Sequence, residues 1–469
     1  MFFDNIHKFK NNVAFFLDDS NKIYFRDILN ISNKFQKVVK KRSLAILIAD
    51  NSLESLCGYI SLLKSNNVVM LLDSNIKDKD LKFIINKFLP KFVFCSKVNQ
   101  KKLPKDYFNL EYSFQNFNLM KSKKENLYKI NDQLMVLIST SGSIGEPKFV
   151  KLSLNNIIVN TRSIISYLNL KSFDRTITTM PLSYSYGFSI INTHLYSGGS
   201  IVPNNFSLVD RNFWKLYSKS KPTNINGVPF FYEMINKIGF ERILKHKLRF
   251  ITQAGGKIKK EIFKKIASKC LENKISFYLM YGQTEAGPRI SYHKVKKGDL
   301  KESDITIGKP IPKGKLFLRD NNNLLIKNKN VKGNLIYEGK NIFGGYAKSC
   351  LDLNSFDNKI ELKTGDIGYQ DKKGKFFISG RKSRFIKIYG YRLNLDYFEE
   401  KLNSNGLNVA CIGANEKLYI FSLKTNSKLK NFIDLPKNAY KIILLKEFPL
   451  NDNGKISYSN LTKLIDIKD

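Results

Sequence analysis

Cysteine is scarce in this sequence. The five cysteines stand far from one another, and none belongs to a C-x-x-C pair: Cys57, Cys95, Cys270, Cys350 and Cys411. Disulfide frameworks and structural zinc sites need paired or closely spaced cysteines, so this spacing indicates neither. We predict isolated buried thiols in a reducing compartment, the cytosol.

Long apolar runs are also absent. No stretch reaches the roughly 18 apolar residues that a membrane-spanning helix needs. Residues 1–12 lack the apolar core of a signal peptide. Both observations favour a cytoplasmic protein without a transmembrane segment. A hydrophobic content of 42%, with 13% aromatic residues, is enough for a large packed core and disfavours disorder. The 469 residues fit about three domains or two unequal ones.

Acidic residues are about half as frequent as basic ones, 40 against 79, which gives a formal net charge of +39. Such a charge invites a nucleic-acid or membrane interpretation. The lysines, however, are spread over the whole length, with no arginine-rich tract and no basic face alternating with aromatic residues. We interpret the charge as a solvated background that attracts anions such as ATP or an acidic partner. Specific nucleic-acid binding is not expected.

The order of patterns along the chain predicts an α/β protein. From residue 13 to residue 73, apolar runs of strand length alternate with helical segments, which predicts a parallel sheet covered by helices on both faces. We interpret the polar residues 99–130 as a surface connection and residues 308–345 as a small β subdomain. The expected architecture is a large N-terminal domain of mixed or parallel sheets (1–381) and a small, mobile α+β C-terminal domain (382–469).

One loop combines several groups that suit polyphosphate oxygens. After an apolar run it supplies hydroxyls, flexible glycines and a lysine: Ser139, Thr140, Ser141, Gly142, Ser143, Gly145 and Lys148. Glycines let backbone N–H groups converge, and the hydroxyls and the ammonium add donors. By composition alone the loop is equally typical of a surface turn. A Walker loop is excluded, because the required G-x-x-x-x-G-K-[ST] spacing is absent.

The order of serine, threonine, glycine, proline and lysine in this loop resembles the signature loop of the adenylate-forming (AMP-binding) superfamily. Its members include acyl-CoA synthetases, nonribosomal-peptide adenylation domains and D-alanine–carrier-protein ligases. Further motifs follow in the family's order: Ala254-Gly255-Gly256, Tyr281-Gly282-Gln283-Thr284-Glu285, Asp366 in T-G-D-x-G, Arg381 after Gly380, and Lys455 in N-D-N-G-K. Asp366, Arg381 and Lys455 taken singly are typical of turns and surfaces. The ordered set carries the resemblance.

The resemblance implies ATP and Mg²⁺ as cofactors and gives each motif a role. The loop would hold the β- and γ-phosphates. Gly255, Gly256 and the ring of Tyr281 would sandwich adenine, within a motif that also includes Gly282 and Gln283. Thr284 would bond the α-phosphate and Glu285 would ligate Mg²⁺, which prefers oxygen ligands. Asp366 and Arg381 would hold the ribose, and Lys455 would contact the carboxylate and the α-phosphate. We therefore expect Lys455, Thr284 and Glu285 to be catalytic.

The resemblance also implies a two-step enzyme whose C-terminal domain rotates. We place the domain boundary at Lys382–Ser383. The rotation would withdraw Lys455 and open a thiol tunnel near Gly390. Hinges of this kind are a few residues that absorb large dihedral changes. The hinge position usually carries aspartate or lysine in the family, whereas here it is Ser383.

The acid-binding segment is predicted at Pro181–Ile191, with Tyr184, Tyr186 and Gly187 lining the pocket and Asn226 nearby. Relatives that activate amino acids hold the amine with an aspartate in this segment, which here has no acidic residue. A buried ammonium without a counter-charge costs several kcal/mol. The segment therefore favours a carboxylic acid without an amino group.

The acceptor is predicted from the C-terminal segments. Residues 380–400 and 449–461 most resemble amino-acid and D-alanine activating enzymes, which load the phosphopantetheine arm of a carrier protein. We expect an acyl carrier protein, typically acidic, or CoA as the acceptor in an acid–thiol ligase. Amino-acid adenylation and carrier loading is the alternative. A non-catalytic basic binding protein is the alternative of another class, although Lys148, Glu285 and Lys455 are all present.

Overall fold

The structure is a computed structural model, and it describes residues 4–104, 106–124, 128–139, 147–381, 384–388, 391–414, 417–423, 433, 435–451 and 454–466. These residues form two compact units. The described part of the first comprises residues 4–139, 147–315 and 338–362, and that of the second comprises residues 316–337 and 363–466.

The secondary structure alternates through most of the chain. The α-helices are α1 (Phe25–Val38), α2 (Leu53–Lys64), α3 (Asp78–Phe88), α4 (Lys97–Gln100), α5 (Leu154–Leu168), α6 (Ser185–Ser197), α7 (Arg211–Ser220), α8 (Pro229–Ile238), α9 (Lys260–Glu272), α10 (Leu395–Ser404) and α11 (Tyr458–Asp466). The strands are β1 (Val13–Phe16), β2 (Lys22–Tyr24), β3 (Leu44–Ala49), β4 (Val68–Asp73), β5 (Phe92–Ser96), β6 (Phe108–Phe114), β7 (Phe117–Ser122), β8 (Leu134–Ser139), β9 (Phe149–Ser153), β10 (Arg175–Ile177), β11 (Ser200–Val202), β12 (Asn224–Gly227), β13 (Phe250–Gln253), β14 (Ser276–Gly282), β15 (Arg289–Lys294), β16 (Lys309–Pro310), β17 (Lys315–Arg319), β18 (Gly333–Glu338), β19 (Tyr346–Ala347), β20 (Glu361–Gln370), β21 (Phe376–Arg381), β22 (Phe385–Ile388), β23 (Tyr391–Asn394), β24 (Val409–Ala414), β25 (Lys417–Ser422) and β26 (Tyr440–Leu444).

The first sheet of unit one has the order β19-β9-β8-β4-β3-β5-β7-β6. Its centre is parallel, since β3 pairs in parallel with β4 and β5, and β4 with β8. All six residues of β3 are buried, as expected of a strand covered on both faces. The apolar side of α3 packs against this sheet, with Ile84 and Phe88 in one core cluster with Ile46 and Met70.

The second sheet of unit one has the order β16-β15-β14-β13-β12-β10-β11-β1-β2. Strands β12, β13 and β14 run parallel, and β15 then pairs antiparallel to β14. Helices α8 and α9 cover one part of it, placing Tyr232 and Phe263 in a core with Ile251 and Phe277. The carboxyl ends of the parallel strands therefore meet at one edge, where open α/β sheets bind ligands.

Helix α5 shows how local sequence sets an element's start. Ser153 is its N-cap, with the side-chain oxygen accepting a hydrogen bond from the Asn156 N–H at 3.1 Å, while the Asn156 side chain accepts from the Ser153 N–H at 2.9 Å. This reciprocal pair satisfies two N–H groups that the helix itself cannot pair. The serine and the asparagine three residues later therefore mark the start of this helix in the sequence itself.

Unit two contains a four-stranded sheet of order β17-β18-β20-β21, the pair β22-β23 and the three-stranded sheet β24-β25-β26. Helix α10 packs Phe398 and Leu402 into a core with Ile420. Inside this unit Arg384 pairs with Asp396 and with Glu399, at 2.6 Å for the second pair, and also donates to the Cys411 carbonyl. Carboxylates on two sides hold the pKa of this guanidinium above its ordinary value.

The predicted α/β class is confirmed, as is the strand–helix alternation of residues 13–73. The strands of this segment do not form one parallel sheet, however: β3 and β4 pair in parallel in the first sheet, whereas β1 and β2 pair antiparallel in the second. The interpretation of residues 99–130 as a plain surface connection was wrong. Strands β6 and β7 form an antiparallel hairpin there, and β7 also pairs with β5. Four residues of β7, Phe117–Met120, are buried. The expectation of buried thiols holds for four cysteines, but Cys350 is only partly buried because it opens a short 3₁₀ turn.

Helices long and apolar enough to cross a membrane are absent from the residues that the structure describes.

Candidate active site

The Tyr281–Glu285 motif lies at the carboxyl end of β14, and its position depends on Gly282. A Cβ on this residue would come within 1.9 Å of the Pro288 carbonyl oxygen. Contacts that short do not occur, so only glycine lets the returning chain pass so close. The pairing register shifts between Tyr281 and Gly282, and Gly282 is then opposite Arg289. The motif and Arg289 are thereby held on neighbouring strands.

The next residues turn back toward helix α6. Thr284–Ala286 form a 3₁₀ turn preceded by Gln283, whose carbonyl accepts from the Ala286 N–H. The buried Thr284 hydroxyl donates to Ser185 Oγ at 3.1 Å. Because Ser185 is the first residue of α6, Thr284 lies beside the N-terminus of that helix. This position suits an anion, which free helical N–H groups favour.

Glu285 and Lys148 are brought to the same tyrosine. The Tyr346 hydroxyl donates to Glu285 Oε1 at 2.8 Å, and Lys148 Nζ lies 4.3 Å from the centroid of the Tyr346 ring. Burial and the Glu285 carboxylate raise the pKa of Tyr346, so the phenol stays a donor. The second Glu285 oxygen has no hydrogen-bond partner among the described residues. A carboxylate oxygen so placed fits the oxygen ligands that Mg²⁺ requires.

The signature loop connects two paired strands. Ser139 ends β8, is exposed, and lies opposite Phe149 of β9. Lys148 immediately precedes β9. The predicted loop residues Thr140, Ser141, Gly142, Ser143 and Gly145 lie outside the described residues. Their phosphate role stays a prediction.

The predicted adenine-binding residues lie at adjacent strand ends. Gly255 follows β13, the parallel neighbour of β14, which carries Tyr281. Gly255 has a φ of +87°, and a Cβ on it would lie 2.5 Å from the Tyr184 hydroxyl. A side chain at this position would therefore be strained and obstructed. A Cβ on Gly256 would lie 3.3 Å from Pro229 Cγ at the start of α8. Both glycines thus allow the backbone after β13 to pack closely against neighbouring side chains.

The predicted acid-binding residues form a buried polar network. The Tyr186 hydroxyl lies 2.6 Å from Thr252 Oγ1, which in turn donates to Asn226 Oδ1. Asn226 also donates to Thr176 Oγ1 at 3.0 Å. The side-chain oxygen and nitrogen of Asn226 are thus used inside the protein, so this residue positions Thr252 and Tyr186. Gly187 allows α6 to approach the preceding turn, since its Cβ would lie 2.2 Å from the Pro181 carbonyl oxygen.

Arg289 was not predicted from the sequence. Its side chain is only 3% exposed, its guanidinium lies 4.3 Å from the centroid of the Tyr186 ring, and Nη2 donates to Ser189 Oγ at 3.2 Å. Nε is buried without a hydrogen-bond partner. Among the described residues no carboxylate pairs with this guanidinium. Burial raises the pKa values of Tyr184 and Tyr186, and the Arg289 charge opposes that rise.

Unit two brings together the three remaining predicted residues. Asp366 and Arg381 face each other across β20 and β21, with Arg381 Nε donating to Asp366 Oδ1 at 3.1 Å. Asp366 is buried, whereas 66% of the Arg381 side chain is exposed. Lys455 follows a turn closed by the Asn451 N–H to the Lys455 carbonyl. Burial lowers the pKa of Lys455 to about 8, and the Arg381 charge acts in the same direction. Ser383 and Gly390 lie outside the described residues.

The residues that sequence reasoning missed are Tyr346, Ser185, Thr252 and Arg289. Ser185 lies inside the predicted pocket segment Pro181–Ile191, and Tyr346 follows the pair Gly344-Gly345. The sequence therefore gave a weak indication that these two residues belong to the site. Arg289 lies in an alternating strand pattern, where an arginine is normally exposed. No local signal marks it as buried.

The model of the family described as AMP-binding enzyme matches residues 2–347. The chain therefore belongs to the AMP-binding, adenylate-forming enzymes, a family of AMP-forming acid–thiol ligases that activate carboxylic acids.

Individual relatives are distant. The D-alanine–D-alanyl carrier protein ligase of Staphylococcus aureus (strain Newman) is 24% identical over 490 residues, covering 95% of each chain. Bacitracin synthase 2 of Bacillus licheniformis is also 24% identical, over 440 residues, which covers 89% of this chain but only 16% of that protein. The structure of the Bacillus subtilis o-succinylbenzoate CoA synthetase with ATP and magnesium superposes with a TM-score of 0.73 at 18% identity, covering 97% of this chain and 98% of that one. This similarity shows a shared fold.

The glycine at the end of β14 gives a direct test of this site. We expect Gly282→Ala to weaken binding of ATP with Mg²⁺ at least tenfold and to destabilise the protein by about 1–3 kcal/mol, because the added Cβ meets rigid backbone. Gly298→Ala is the matched control, since its Cβ would meet nothing within 4 Å. Calorimetric titration and thermal unfolding measure both effects. Wild-type ATP binding by the Gly282→Ala protein would contradict this description of the site.

Proposed function

We propose that this enzyme joins a carboxylic acid without an amino group to ATP, releasing pyrophosphate, and transfers the acyl group from the acyl-adenylate to a phosphopantetheine thiol. The proposal is carried by one observation: Lys148 and Glu285 both contact the side chain of Tyr346. These residues are 137 positions apart in the sequence and belong to two motifs with expected phosphate and metal roles. Their proximity supports a single binding site for a nucleoside triphosphate.

The chemistry explains why these groups belong together. A carboxylate must attack the α-phosphorus of ATP in line, and both reactants are anions. Cations and N–H donors that face the developing charge lower this barrier most effectively. Thr284, beside the N-terminus of α6, is assigned to the α-phosphate. Glu285 is assigned to Mg²⁺, which neutralises phosphate charge when bound. The Ser139–Lys148 loop is assigned to the β- and γ-phosphates.

The remaining ATP contacts are assigned as follows. The surface at Gly255 and Gly256 and the ring of Tyr281 bind adenine. Asp366, acceptor-only when ionised, binds the ribose hydroxyls, and Arg381, its partner at 3.1 Å, orients it and reaches the same sugar. Lys455 contributes its charge to the carboxylate and the α-phosphate. The domain boundary at Lys382–Ser383, the Ser383 hinge and the Gly390 thiol tunnel are part of this proposal.

Two observations favour an acid without an amino group. The segment Pro181–Ile191 contains no carboxylate. The charged group that the structure places against Tyr186 is the guanidinium of Arg289, 4.3 Å from the ring centroid. An ammonium group bound beside this guanidinium would meet a like charge, and among the described residues no carboxylate pairs with the guanidinium, so such binding is costly in a buried site. Amino-acid adenylation with carrier loading is the second candidate, and the similarity to the S. aureus D-alanine–D-alanyl carrier protein ligase along 95% of the chain favours it.

The acceptor is proposed to be an acyl carrier protein, with CoA as the alternative. The resemblance of residues 380–400 and 449–461 to carrier-loading enzymes supports the carrier. A net charge of +39 attracts an acidic carrier and speeds its encounter. The same charge is consistent with a non-catalytic basic binding protein, but such a protein has no need for the Lys148–Tyr346–Glu285 arrangement. Four buried free thiols agree with a cytoplasmic location.

Pyrophosphate exchange into ATP tests the proposed reaction. With Mg²⁺ and a panel of carboxylic acids from short to long, we expect acid-dependent exchange that falls by at least 100-fold in Lys455→Ala, because a charge that acts on the transition state is lost. Lys463→Ala, on the exposed face of α11, is the control and should exchange like the wild type. Exchange with amino acids alone would overturn the acid assignment, and no exchange with either panel would overturn the proposed function.

The pKa of Lys455 gives a pH dependence with a definite sign. The protonated amine is the form that stabilises developing negative charge, so kcat/KM for exchange should fall as the pH rises through about 8. In Lys455→Arg the guanidinium stays charged, and the descending limb should disappear from the range between about pH 7 and pH 10. The measurement is kcat/KM against pH for both proteins. If kcat/KM of Lys455→Arg falls over the same pH range as that of the wild type, a group other than Lys455 is responsible for the fall.

A further inference from the structure

Arg289 is a buried cation whose hydrogen-bonding capacity is only partly used and whose described partners are neutral. A guanidinium has five N–H donors, and among the described residues the side-chain partners of this one are Ser189 Oγ at 3.2 Å and the Tyr167 hydroxyl. Nε is buried without a partner. Leaving a charged donor desolvated and unpaired costs more than leaving a neutral one. A buried arginine in such surroundings is suited to bind an anion from outside the chain.

The surroundings of Arg289 belong to the predicted acid pocket. The guanidinium lies over the ring of Tyr186, whose hydroxyl is bonded to Thr252. The ring of Tyr184 lies 6.5 Å from that of Tyr186, and its hydroxyl is against Gly255. The titratable groups facing Arg289 from neighbouring elements are therefore the phenols of Tyr167, Tyr184 and Tyr186. All three phenols have their pKa values raised by burial, so they remain neutral and cannot neutralise it.

Helix α6 sets the distance between Arg289 and the reacting end of the acid. Thr284, assigned to the α-phosphate, bonds Ser185, and Arg289 bonds Ser189. These two serines are four residues apart on one face of the helix, which corresponds to a separation of about 6 Å. An acid whose carboxylate reaches the α-phosphate beside Thr284 therefore has its far end near Arg289 when it is about four to six carbons long.

We propose that the acid activated by this enzyme carries a second anionic group, a carboxylate at the end opposite the reacting one, and that Arg289 binds it. The inference rests on the proposed function and narrows its substrate class to short dicarboxylic acids. The planar fork of arginine matches a carboxylate through two parallel hydrogen bonds. The pairing uses Nε, and it neutralises the buried cation only when the correct acid is bound.

The test compares each diacid with an analogue that lacks only the second charge. Pyrophosphate exchange is measured with succinate, glutarate and adipate and with the monomethyl ester of each. In the wild type we expect kcat/KM for the best diacid to exceed that of its monoester by about 100-fold, as for loss of one partner of a buried charge pair. In Arg289→Leu the ratio should fall to about one, chiefly through loss of activity with the diacid. A phosphonate-terminated acid in the same panel distinguishes recognition of carboxylate from recognition of any anion.

Controls separate the roles of charge and folding. Arg162→Leu removes an exposed arginine of α5 and should leave the ratio unchanged. Arg289→Lys keeps the charge without the fork, so it should retain the preference for diacid at a lower kcat/KM, and it carries the test if Arg289→Leu is unfolded. A wild-type ratio near one, or an unchanged ratio in Arg289→Leu, would overturn the inference alone. Absence of exchange with every acid would overturn the proposed function and the inference with it.

Discussion

The close approach of two backbone segments at the end of β14 is the constraint on which the candidate site depends. The Gly282 Cα and the Pro288 carbonyl pass each other at a distance that leaves no space for a Cβ. This contact closes the turn between β14 and β15. It therefore sets the positions of Tyr281 before the turn, Thr284 within it and Arg289 after it. A motif of five residues thus positions side chains assigned to both the nucleotide and the acid parts of the proposed site.

Helix α6 is the second element that positions the residues of the candidate site. In its first turn Ser185 accepts a hydrogen bond from Thr284, and in its second turn Ser189 accepts one from Arg289. Between them Tyr186 is held by Thr252, which is itself held by Asn226. Buried polar networks whose members are all paired are rigid. The helix consequently fixes the two proposed binding positions about one turn apart, and the unpaired Nε of Arg289 lies at the position proposed for the far end of the acid.

Much of the architecture was predictable from the sequence because local chemistry determined it. The buried run of β3 and the capping residues Ser153 and Asn156 specify their elements without help from distant parts of the chain. The hairpin of β6 and β7 was missed because its strands carry lysine, asparagine and serine. Four consecutive residues of β7 are nonetheless buried, since that strand pairs on both sides. Pairing with β5 is a long-range effect that local polarity does not reveal.

The residues of the candidate site also fall into two groups, those that local sequence predicts and those that depend on long-range contacts. Motifs that resemble a known family predict roles for Thr284, Glu285, Asp366 and Lys455, because recognition of ATP uses similar short sequences throughout the family. Tyr346 and Arg289 depend on contacts with residues 61 and 100 positions away, Glu285 and Ser189. Only the fold brings these pairs together. The residues proposed to select the acid are therefore less predictable than those proposed to bind the nucleotide.

The most direct test of the central claim, attack of the acid on the α-phosphorus, follows the carboxylate oxygens. The enzyme is given an acid labelled with ¹⁸O in both carboxylate oxygens, together with ATP, Mg²⁺ and a thiol acceptor, and the products are analysed by mass spectrometry. Formation of an acyl-adenylate and cleavage of its acyl carbon–oxygen bond by the thiol leave one labelled oxygen in AMP. The account predicts this labelled AMP and unlabelled pyrophosphate. Label in inorganic phosphate together with ADP, or unlabelled AMP, would contradict it.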